Sequence, residues 1–246
     1  MPFWKVTCNE KRRFATVHNY GCTFRCRVCS YKLRSGADGH PGLAYPRPER
    51  FLSPAEIKAV LRKVSIDTLY FMGGEPTTAA DLPEILAFGK NDLRVRTCLG
   101  HTNGSRLPLP NLDAANVGLK AWREDVHLAY TGREKKPIFD NVAAAFRAGT
   151  EIRANVVYIP GLVDLDQVES IARWLSELSA GKIHFHVCGY IPVPGQTYVR
   201  PTVEQMQEAV AVCRRHLRDV DSSHLTPDEA LNLTARDERF ATIRLA

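Results

Sequence analysis

The chain alternates between short apolar runs and longer stretches in which apolar residues recur at helical spacing. The short runs are rich in β-branched residues and predict six strands, over residues 14–20, 68–72, 93–99, 116–120, 152–159 and 182–187. The longer stretches predict helices over 54–63, 82–88, 139–148, 164–180 and 203–220. Alternating strands and helices are typical of parallel sheets built from βα units. Six units are too few to close an eight-fold barrel, so we predict an α/β fold, a partial (β/α)6 TIM-like barrel with parallel strands.

Several helix ends carry capping signals. Ser53 and Thr202 are each followed three residues later by Glu or Gln, which predicts capping boxes at two helix starts. Asp164 or Asp166 is expected to cap a third helix, and Gly89 is expected to end the helix over 82–88.

Length and composition set the class of protein. The chain has 246 residues, of which 44% are hydrophobic and 24% charged, enough to bury a full core. We expect one domain over 1–246, with a core of about 14–220 and a C-terminal extension over 221–246. No apolar run approaches membrane-spanning length, and the N-terminus lacks the layout of a secretory signal. Together with an odd number of cysteines, seven, this favours a cytoplasmic protein.

Three cysteines follow the first predicted strand with C-x3-C-x2-C spacing: Cys22, Cys26 and Cys29. The spacing is compact enough to hold one metal centre. Cubane iron–sulfur clusters usually take four thiolates, so a local triad leaves one iron open. The alternative is a zinc site completed by His18 or His40, although structural zinc sites usually pair two C-x2-C knuckles. The other cysteines are scattered, and most are expected in the core: Cys8, Cys98, Cys188 and Cys213.

Positive charge is concentrated near the N-terminus. The net charge is +6, and residues 1–34 contain eight lysines and arginines against one acid, Glu10. This predicts a basic field around the cysteine loop, which would attract an acidic partner or ease electron uptake by a cluster. The alternative is an ordinary solvated basic surface. Nucleic-acid binding is disfavoured because no interleaved aromatic platform is present.

Unusual segments lie at the carboxyl ends of the second, third and fourth predicted strands. They are residues 72–77 with Gly73-Gly74-Glu75, residues 99–105 with Thr102-Asn103-Gly104, and residues 118–120 ending at Lys120. In parallel βα barrels, active sites lie beyond the carboxyl ends of the strands. Each segment also has a plainer explanation, since glycines and Asn-Gly pairs favour tight turns.

Taken together, the chain resembles the radical SAM family, and within it the glycyl-radical-enzyme (pyruvate formate-lyase) activating enzymes. The resemblance spans residues 14 to about 220. It rests on the triad, on the three segments above and on residues 151–164, which resemble the R-x-x-V-x-P-G-x-x-D region of those enzymes. Five positions depart from it: Val28 replaces an aromatic residue, His101 an acid and Gly118 an aspartate, and Ser30-Tyr31 stands where many of those enzymes have His-Asn.

The resemblance implies roles for individual residues. Three thiolates would hold a [4Fe-4S] cluster whose fourth iron is chelated by S-adenosylmethionine: Cys22, Cys26 and Cys29. The implied cosubstrate-binding residues are Gly73, Gly74, Glu75, Thr102, Asn103, Lys120, Arg153 and His186. We expect Glu75 at the mouth of the site and Arg153 facing an anion such as the cosubstrate carboxylate. Cys188, just past the last predicted strand, is a candidate for substrate contact or hydrogen donation.

The implied activity is reductive cleavage of S-adenosylmethionine to a 5′-deoxyadenosyl radical that abstracts hydrogen from a substrate. Our leading hypothesis is a glycyl-radical-enzyme activase or a related macromolecule-modifying enzyme. The alternatives are a small-molecule enzyme of a biosynthetic pathway and, third, a zinc- or cluster-bearing nucleic-acid-binding module. The expected partners are a reduced flavodoxin or ferredoxin-like electron donor and either a glycyl radical enzyme or an acidic small molecule.

Overall fold

The computed structural model describes residues 2–246, except for the side chains of residues 235 and 236. Within this range nine strands form one sheet, in the order β8-β7-β6-β5-β4-β3-β2-β1-β9. Strands β2 to β8 pair in parallel, whereas β1 is antiparallel to both β2 and β9. The strand bounds are β1 Phe3–Asn9, β2 Phe14–Asn19, β3 Thr68–Met72, β4 Arg96–Thr102, β5 Ala114–Leu119, β6 Glu151–Tyr158, β7 His184–Gly189, β8 Val220–Ser223 and β9 Ile243–Arg244.

Helices occupy most of the connections between the strands. Their apolar residues pack on the sheet because a helix with one apolar face must bury it; α6, for example, buries Val168, Ile171 and Leu175 completely. The helix bounds are α1 Lys32–Ser35, α2 Pro54–Leu61, α3 Leu82–Asn91, α4 Glu124–Thr131, α5 Lys135–Arg147, α6 Leu165–Ser179, α7 Val203–Arg214, α8 Pro227–Leu231 and α9 Leu233–Arg236. No helix in the described range is both long and apolar enough to cross a bilayer.

The predicted fold class is confirmed. All six predicted strands are present, they are parallel, and the sheet does not close on itself. The sheet nevertheless extends beyond the predicted core at both ends, through β1, β8 and β9. Strands β8 and β9 escaped prediction because β8 has a single apolar residue, Val220, and β9 has only two residues. Their place in the sheet depends on main-chain pairing with distant strands rather than on a local pattern.

Predictions of helix ends had mixed outcomes. The capping boxes at Ser53 and Thr202 are confirmed, and Asp164 occupies the N-cap position of α6. The prediction for Gly89 was wrong, because α3 continues through it to Asn91. A Cβ at this position would lie 3.0 Å from Thr97 Cγ2, so this glycine allows a close approach between helix and strand.

Residues 224–246, which we call the C-terminal segment, connect the two ends of the sheet. The segment leaves β8 at one edge and returns as β9, which pairs with β1 through Thr7–Arg244 and Cys8–Ile243. Between these points Leu233 and Phe240 line a cavity together with residues of β4 to β7. The segment therefore crosses the open side of the barrel.

Candidate active site

The three cysteines of the triad lie in the loop that follows β2, and all three line a cavity of about 360 Å³. They are free thiols. The backbone N–H of Phe24 donates to Cys22 Sγ at 3.4 Å, and the side-chain amide of Asn103 donates to the same sulfur at 3.7 Å. Burial raises the pKa of Cys22 and raises that of Cys26 to about 12. Both are therefore neutral thiols until a metal centre displaces their protons.

Neither histidine proposed to complete a zinc site is placed to do so. His18 Nε2 is hydrogen-bonded to Thr7 Oγ1 at 2.9 Å, and His40 is exposed with Nδ1 against the carbonyl oxygen of Pro41. Among the described residues no three His, Cys, Asp or Glu side chains are arranged to hold a metal ion. A cubane has a different requirement, because each thiolate binds a different iron and the three sulfurs must surround a space. A cavity bordered by all three cysteines fits that requirement.

Two glycines allow the chain to close tightly around Cys22. Gly74 has φ +53°, and a Cβ there would lie 2.0 Å from the carbonyl oxygen of Gly21. Gly42 has φ +74°, and its Cβ would lie 2.4 Å from Cys22 Cβ. Both positions require glycine for conformation and for space. The N–H of Gly74 donates to Tyr31 Oη at 2.9 Å, so the turn after β3 is fastened to the cysteine loop.

Glu75 does not lie at the mouth of the site, contrary to expectation. Its side chain is completely buried and does not line the cavity. The carboxylate accepts hydrogen bonds from Thr77 N and Oγ1, from Thr102 Oγ1 at 2.8 Å and from Asn103 N at 2.6 Å. Burial raises the pKa of Glu75, and these donors oppose the rise by stabilising the anion. Glu75 thus joins the carboxyl ends of β3 and β4.

The network continues from Glu75 to the cysteine loop through Asn103. The backbone of Asn103 is held by Glu75, while its amide Nδ2 donates to Thr23 Oγ1 at 2.8 Å. Thr23 Oγ1 also lies 3.0 Å from Ser105 Oγ. Thr102 is fully buried and its hydroxyl is used by Glu75. At the carboxyl end of β4, His101 in the strand and Asn103 just after it line the cavity.

Lys120 lines the same cavity, next to two of the positions that depart from the activase pattern. A Cβ at Gly118 would lie 2.8 Å from Lys120 Nζ and 3.0 Å from His101 Cε1. The glycine therefore makes room for the larger His101 and for the lysine. Burial and the nearby ammonium of Lys120 lower the pKa of His101 to about 3. His101 is a neutral imidazole here, and Lys120 supplies the positive charge.

A second, larger cavity of about 900 Å³ lies inside the barrel. It shares a wall with the first cavity, formed by side chains that line both: His101, Asn155, Cys188, Ser223 and Leu225. A molecule in the larger cavity therefore adjoins whatever occupies the smaller one.

Strand register arranges the side chains of the larger cavity. Arg153 on β6 pairs with His184 on β7, and Asn155 pairs with His186. His186 in turn pairs with Asp221 on β8. Alternate residues of a strand face the same side, so Arg153 and Asn155, and likewise His184 and His186, all line this cavity.

His186 is engaged on both sides of its ring. Nδ1 lies 2.5 Å from Asp221 Oδ1, and Nε2 lies 2.9 Å from Ser223 Oγ. The Cys188 side chain and the Asp221 carboxylate raise the pKa of His186 to about 9. His186 is therefore an imidazolium at neutral pH. His184 Nε2 contacts the same carboxylate oxygen at 3.1 Å.

The structure divides the predicted site residues into three groups. Those that line the smaller cavity are Cys22, Cys26, Cys29, Gly74, Asn103, Lys120 and Cys188. Arg153 and His186 line the larger cavity instead, together with Cys188. Three predicted residues line neither cavity: Gly73, Glu75 and Thr102.

Several residues of the site were not predicted from sequence. Asp221 belongs to the unrecognised strand β8, so no local pattern marked it. Tyr31, which holds Gly74, was noted only as a departure from the activating enzymes, two residues after Cys29. Asn155 was assigned no role from the sequence, although it lines both cavities and donates to Asn116 Oδ1 at 2.9 Å.

The basic charge near the N-terminus does not all surround the cysteine loop, contrary to the sequence analysis. Lys11 and Arg12 pair with Glu238 at 2.5 and 2.8 Å, and Arg13 pairs with Asp67 at 2.7 Å. These cations lie in the turn between β1 and β2, at the end of β2 opposite the cysteines. Near the triad, exposed cationic side chains remain at Arg25, Arg27, Arg34 and Arg133.

Comparison with known proteins identifies the class to which this arrangement belongs. An open, mostly parallel α/β sheet with a three-cysteine loop after its first parallel strand is the architecture of enzymes that cleave S-adenosylmethionine at an iron–sulfur cluster. The chain belongs to the Radical SAM superfamily, whose family model matches residues 16–175. It is therefore an enzyme whose cofactors are a [4Fe-4S] cluster and S-adenosylmethionine.

Similar proteins differ in their described activities. A protein of Methanocaldococcus jannaschii, provisionally named a glycyl-radical enzyme activating enzyme, is 25% identical over 219 residues, which are 85% of this chain and 80% of that protein. GTP 3′,8-cyclase of Pectobacterium atrosepticum is 28% identical over 166 residues, 63% of this chain and 48% of the cyclase. This chain thus spans about half the length of that cyclase.

The fold is shared with Streptococcus suis SuiB bound to S-adenosylmethionine. The TM-score is 0.60 at 17% identity, with 84% of this chain and 48% of SuiB covered. The predicted resemblance to radical SAM enzymes and to activating enzymes is confirmed at the level of family and relatives.

Proposed function

We propose that this enzyme binds S-adenosylmethionine in the smaller cavity and removes a hydrogen atom from a substrate held in the larger one. The observation that carries this proposal is the wall shared by the two cavities, formed in part by His101, Asn155 and Cys188. The cofactor must lie beside the cysteine triad, and the substrate must lie beside the cofactor. The two cavities meet both conditions.

Cys22, Cys26 and Cys29 would hold the cluster, and Lys120 and Asn103 are placed to bind the cosubstrate. When bound and reduced, the cluster and cosubstrate supply a carbon radical able to abstract hydrogen. The protein's own contribution is placement. Lys120 offers an ammonium for a carboxylate, and Asn103 is fixed by hydrogen bonds to Thr23 and Glu75.

Glu75, Thr102 and Gly73 act as positioning residues in this proposal rather than as cosubstrate contacts. The carboxylate of Glu75 takes its hydrogen bonds from protein donors, including the hydroxyl of Thr102. Gly73 has φ +91°, and its Cβ would lie 2.5 Å from the carbonyl oxygen of Asn19. Each of them sets the position of Gly74 or Asn103.

Arg153, His186 and Cys188 are assigned to the substrate side. Arg153 and His186 line only the larger cavity, and Cys188 lies in the shared wall. In that position the Cys188 thiol is within the space where substrate and cosubstrate meet. It is a candidate for substrate contact or for returning a hydrogen atom to the substrate.

The geometry favours activity on a small-molecule substrate, because the C-terminal segment covers the open side of the barrel. A large loop of another protein entering from that side would have to displace Leu233 and Phe240. Activation of a glycyl radical enzyme is the second candidate, and it is supported by the name of the relative from M. jannaschii, which matches over most of both chains.

An electron donor is also required. We propose a small acidic protein such as reduced flavodoxin or ferredoxin, docking on the exposed arginines beside the cysteine loop. Arg25 and Arg27 are in the loop itself and Arg133 donates to the Thr23 carbonyl oxygen at 3.0 Å. Complementary charge would accelerate the encounter.

Anaerobic purification followed by metal analysis and single-turnover assays tests the proposal. Reduced wild-type protein given S-adenosylmethionine should form 5′-deoxyadenosine, with about four irons and four sulfides per chain. Cys26→Ala should lose both cluster and product, whereas Cys213→Ala, at a buried cysteine outside both cavities, should keep both. If the wild-type protein contains zinc but neither iron nor sulfide, the proposal is wrong.

The two candidate substrates are separated by a second measurement. Electron paramagnetic resonance of a candidate glycyl radical enzyme mixed with the reduced protein and S-adenosylmethionine should show a protein radical if activation is the function. Consumption of a small molecule in step with 5′-deoxyadenosine, without any radical on the macromolecule, would exclude activation.

A further inference from the structure

We infer that the larger cavity is a binding site for a small oxyanion, a phosphate ester or a carboxylate, recognised by Arg153 with the His186 cation beside it and enclosed by the C-terminal segment. This inference rests on the proposed function and adds the chemical class of its substrate. Three observations support it: an unpaired arginine, a neighbouring histidine cation, and a chain segment that covers the cavity.

Arg153 is the lining arginine without an ion-pair partner of its own: its charge helps to lower the pKa of Asp221, but that carboxylate is paired with His184 and His186. Arg96 pairs with Glu151 at 2.5 Å, and Arg239 pairs with Asp237 at 2.5 Å. Across the described part of the chain, Arg153 has neither an ion pair nor a side-chain hydrogen bond. An unpaired guanidinium within a cavity offers two parallel N–H donors to a carboxylate or phosphate.

A second cation lies on the adjacent strand. His186 is on β7, whose residue His184 is the direct register partner of Arg153. The groups that face His186 are the Cys188 thiol on its own strand, Asn155 on β6, and Asp221 and Ser223 on β8. The hydrogen bonds to Asp221 and Ser223 hold the ring in a fixed orientation.

Together these groups leave the cavity with positive charge. The Asp221 carboxylate balances one cation, and the Arg96 and Arg239 guanidinium groups are balanced by their own acids. Since the hydrogen bond with Cys188 and the Asp221 carboxylate raise the pKa of His186 to about 9, His186 is charged at neutral pH and lies beside the guanidinium of Arg153. About one positive charge therefore remains for a ligand to neutralise.

The C-terminal segment limits the size of that ligand. Its residues Leu225, Leu233 and Phe240 line the cavity opposite the sheet. It is held in place at both edges of the sheet, by Arg200 donating to the carbonyl oxygens of His224 and Leu225, and by β9 pairing with β1. A small molecule fits within such a boundary, and it lies next to the cosubstrate cavity through Asn155 and Cys188.

Calorimetric titration of full-length, cluster-loaded protein with saturating S-adenosylmethionine tests the inference. Two probes represent the two sources of oxyanion: inorganic pyrophosphate for phosphate esters and succinate for carboxylates. At least one should bind, and Arg153→Gln should weaken its affinity about tenfold to a hundredfold, the usual effect of losing a charged hydrogen bond. Arg153→Lys, which keeps the charge without the planar fork, should recover part of the affinity.

A matched control is Arg173→Gln, which removes the same charge from the exposed surface of α6. It should leave the affinity unchanged. Binding of pyrophosphate alone indicates a phosphate ester, and binding of succinate alone indicates a carboxylate. If neither probe binds the wild-type protein, or if the Arg153→Gln protein binds as tightly as the wild type, the inference is wrong.

Failure here is distinguishable from failure of the proposed function. Formation of 5′-deoxyadenosine by the reduced wild-type protein tests radical chemistry and needs no oxyanion probe. A protein that cleaves S-adenosylmethionine but binds neither anion keeps the proposed function and loses only this substrate class.

Discussion

Replacement of Glu75 by glutamine provides the sharpest test of how this site is built. The sequence resemblance implies that Glu75 contacts the cosubstrate, whereas in the structure its buried carboxylate joins the ends of β3 and β4. The two interpretations predict different results for the same substitution. Glutamine has nearly the same shape, so the change isolates the charge and the second acceptor oxygen.

The expected cost follows from the hydrogen bonds. Oε1 of Glu75 accepts from Thr77 N, Thr77 Oγ1 and Thr102 Oγ1, and Oε2 accepts from Asn103 N at 2.6 Å and from Thr102 Oγ1. In Glu75→Gln the amide oxygen takes the place of Oε1 and keeps the hydrogen bonds from Thr77 and Thr102. The amide nitrogen then takes the place of Oε2 and faces the N–H of Asn103. A buried donor without a partner costs about 1–3 kcal/mol, and the remaining bonds lose their charged acceptor.

The easier burial of a neutral amide offsets part of this loss, so we expect a net destabilisation of about 2–4 kcal/mol. For a chain of this size that corresponds to a fall in melting temperature of about 5–15 °C. Urea unfolding of the full-length protein under anaerobic conditions, followed by circular dichroism, should show the same loss as a lower midpoint with unchanged slope.

Glu84→Gln is the matched control. Glu84 is 54% exposed and pairs with Lys58 at 2.6 Å on the surface, where ion pairs contribute less than about 1 kcal/mol. If Glu75→Gln is no more destabilising than this control, the carboxylate does not brace the strand ends. If stability is kept while affinity for S-adenosylmethionine falls, Glu75 contacts the cosubstrate and our interpretation of its role is refuted.

Two further predictions concern the cysteine loop and the substrate cavity. Gly42→Ala should lower both cluster content and stability, because its Cβ would lie 2.4 Å from Cys22 Cβ. The control Gly36→Ala has a similar positive φ but no atom within 4 Å of the added Cβ, so it should show only backbone strain of about 1–2 kcal/mol. Equal loss of cluster in both variants would contradict steric contact as the cause. By NMR, His186 should titrate near pH 9, so its contribution to stability is complete below its unfolded pKa of about 6.5 and is lost as pH rises through 9. A midpoint near 6.5 would show that Cys188 and Asp221 do not stabilise the imidazolium.

Much of the fold could be predicted because its signals are local. Hydrophobic periodicity located the six inner parallel strands, and the capping boxes at Ser53 and Thr202 located two helix starts. Strand β8 and the two-residue β9 carry too few apolar side chains for such a signal. They are held by main-chain pairing with strands far away in sequence.

Local spacing was also enough to locate the cysteine triad, since three thiols within eight residues must lie close together. The orientation of other site residues was not available in this way. Glu75 was correctly placed at a strand end, yet its carboxylate turns inward because Thr102, the last residue of the next strand, and Asn103, which follows it, offer donors there. Similarly, Lys11 and Arg12 were assigned to the field around the cysteines, but they pair with Glu238 at the opposite end of β2.

The sequence by itself determined the family and the position of the cysteine triad at the carboxyl end of the first parallel strand, because these depend on spacing and on the order of strands and helices. The tertiary structure alone decided that Arg153 and His186 line a second cavity, that Asp221 fixes His186, and that the C-terminal segment covers the space they line. The physical reason is that charge, burial and enclosure depend on which distant residues become neighbours, and strand pairing across the whole sheet makes that choice.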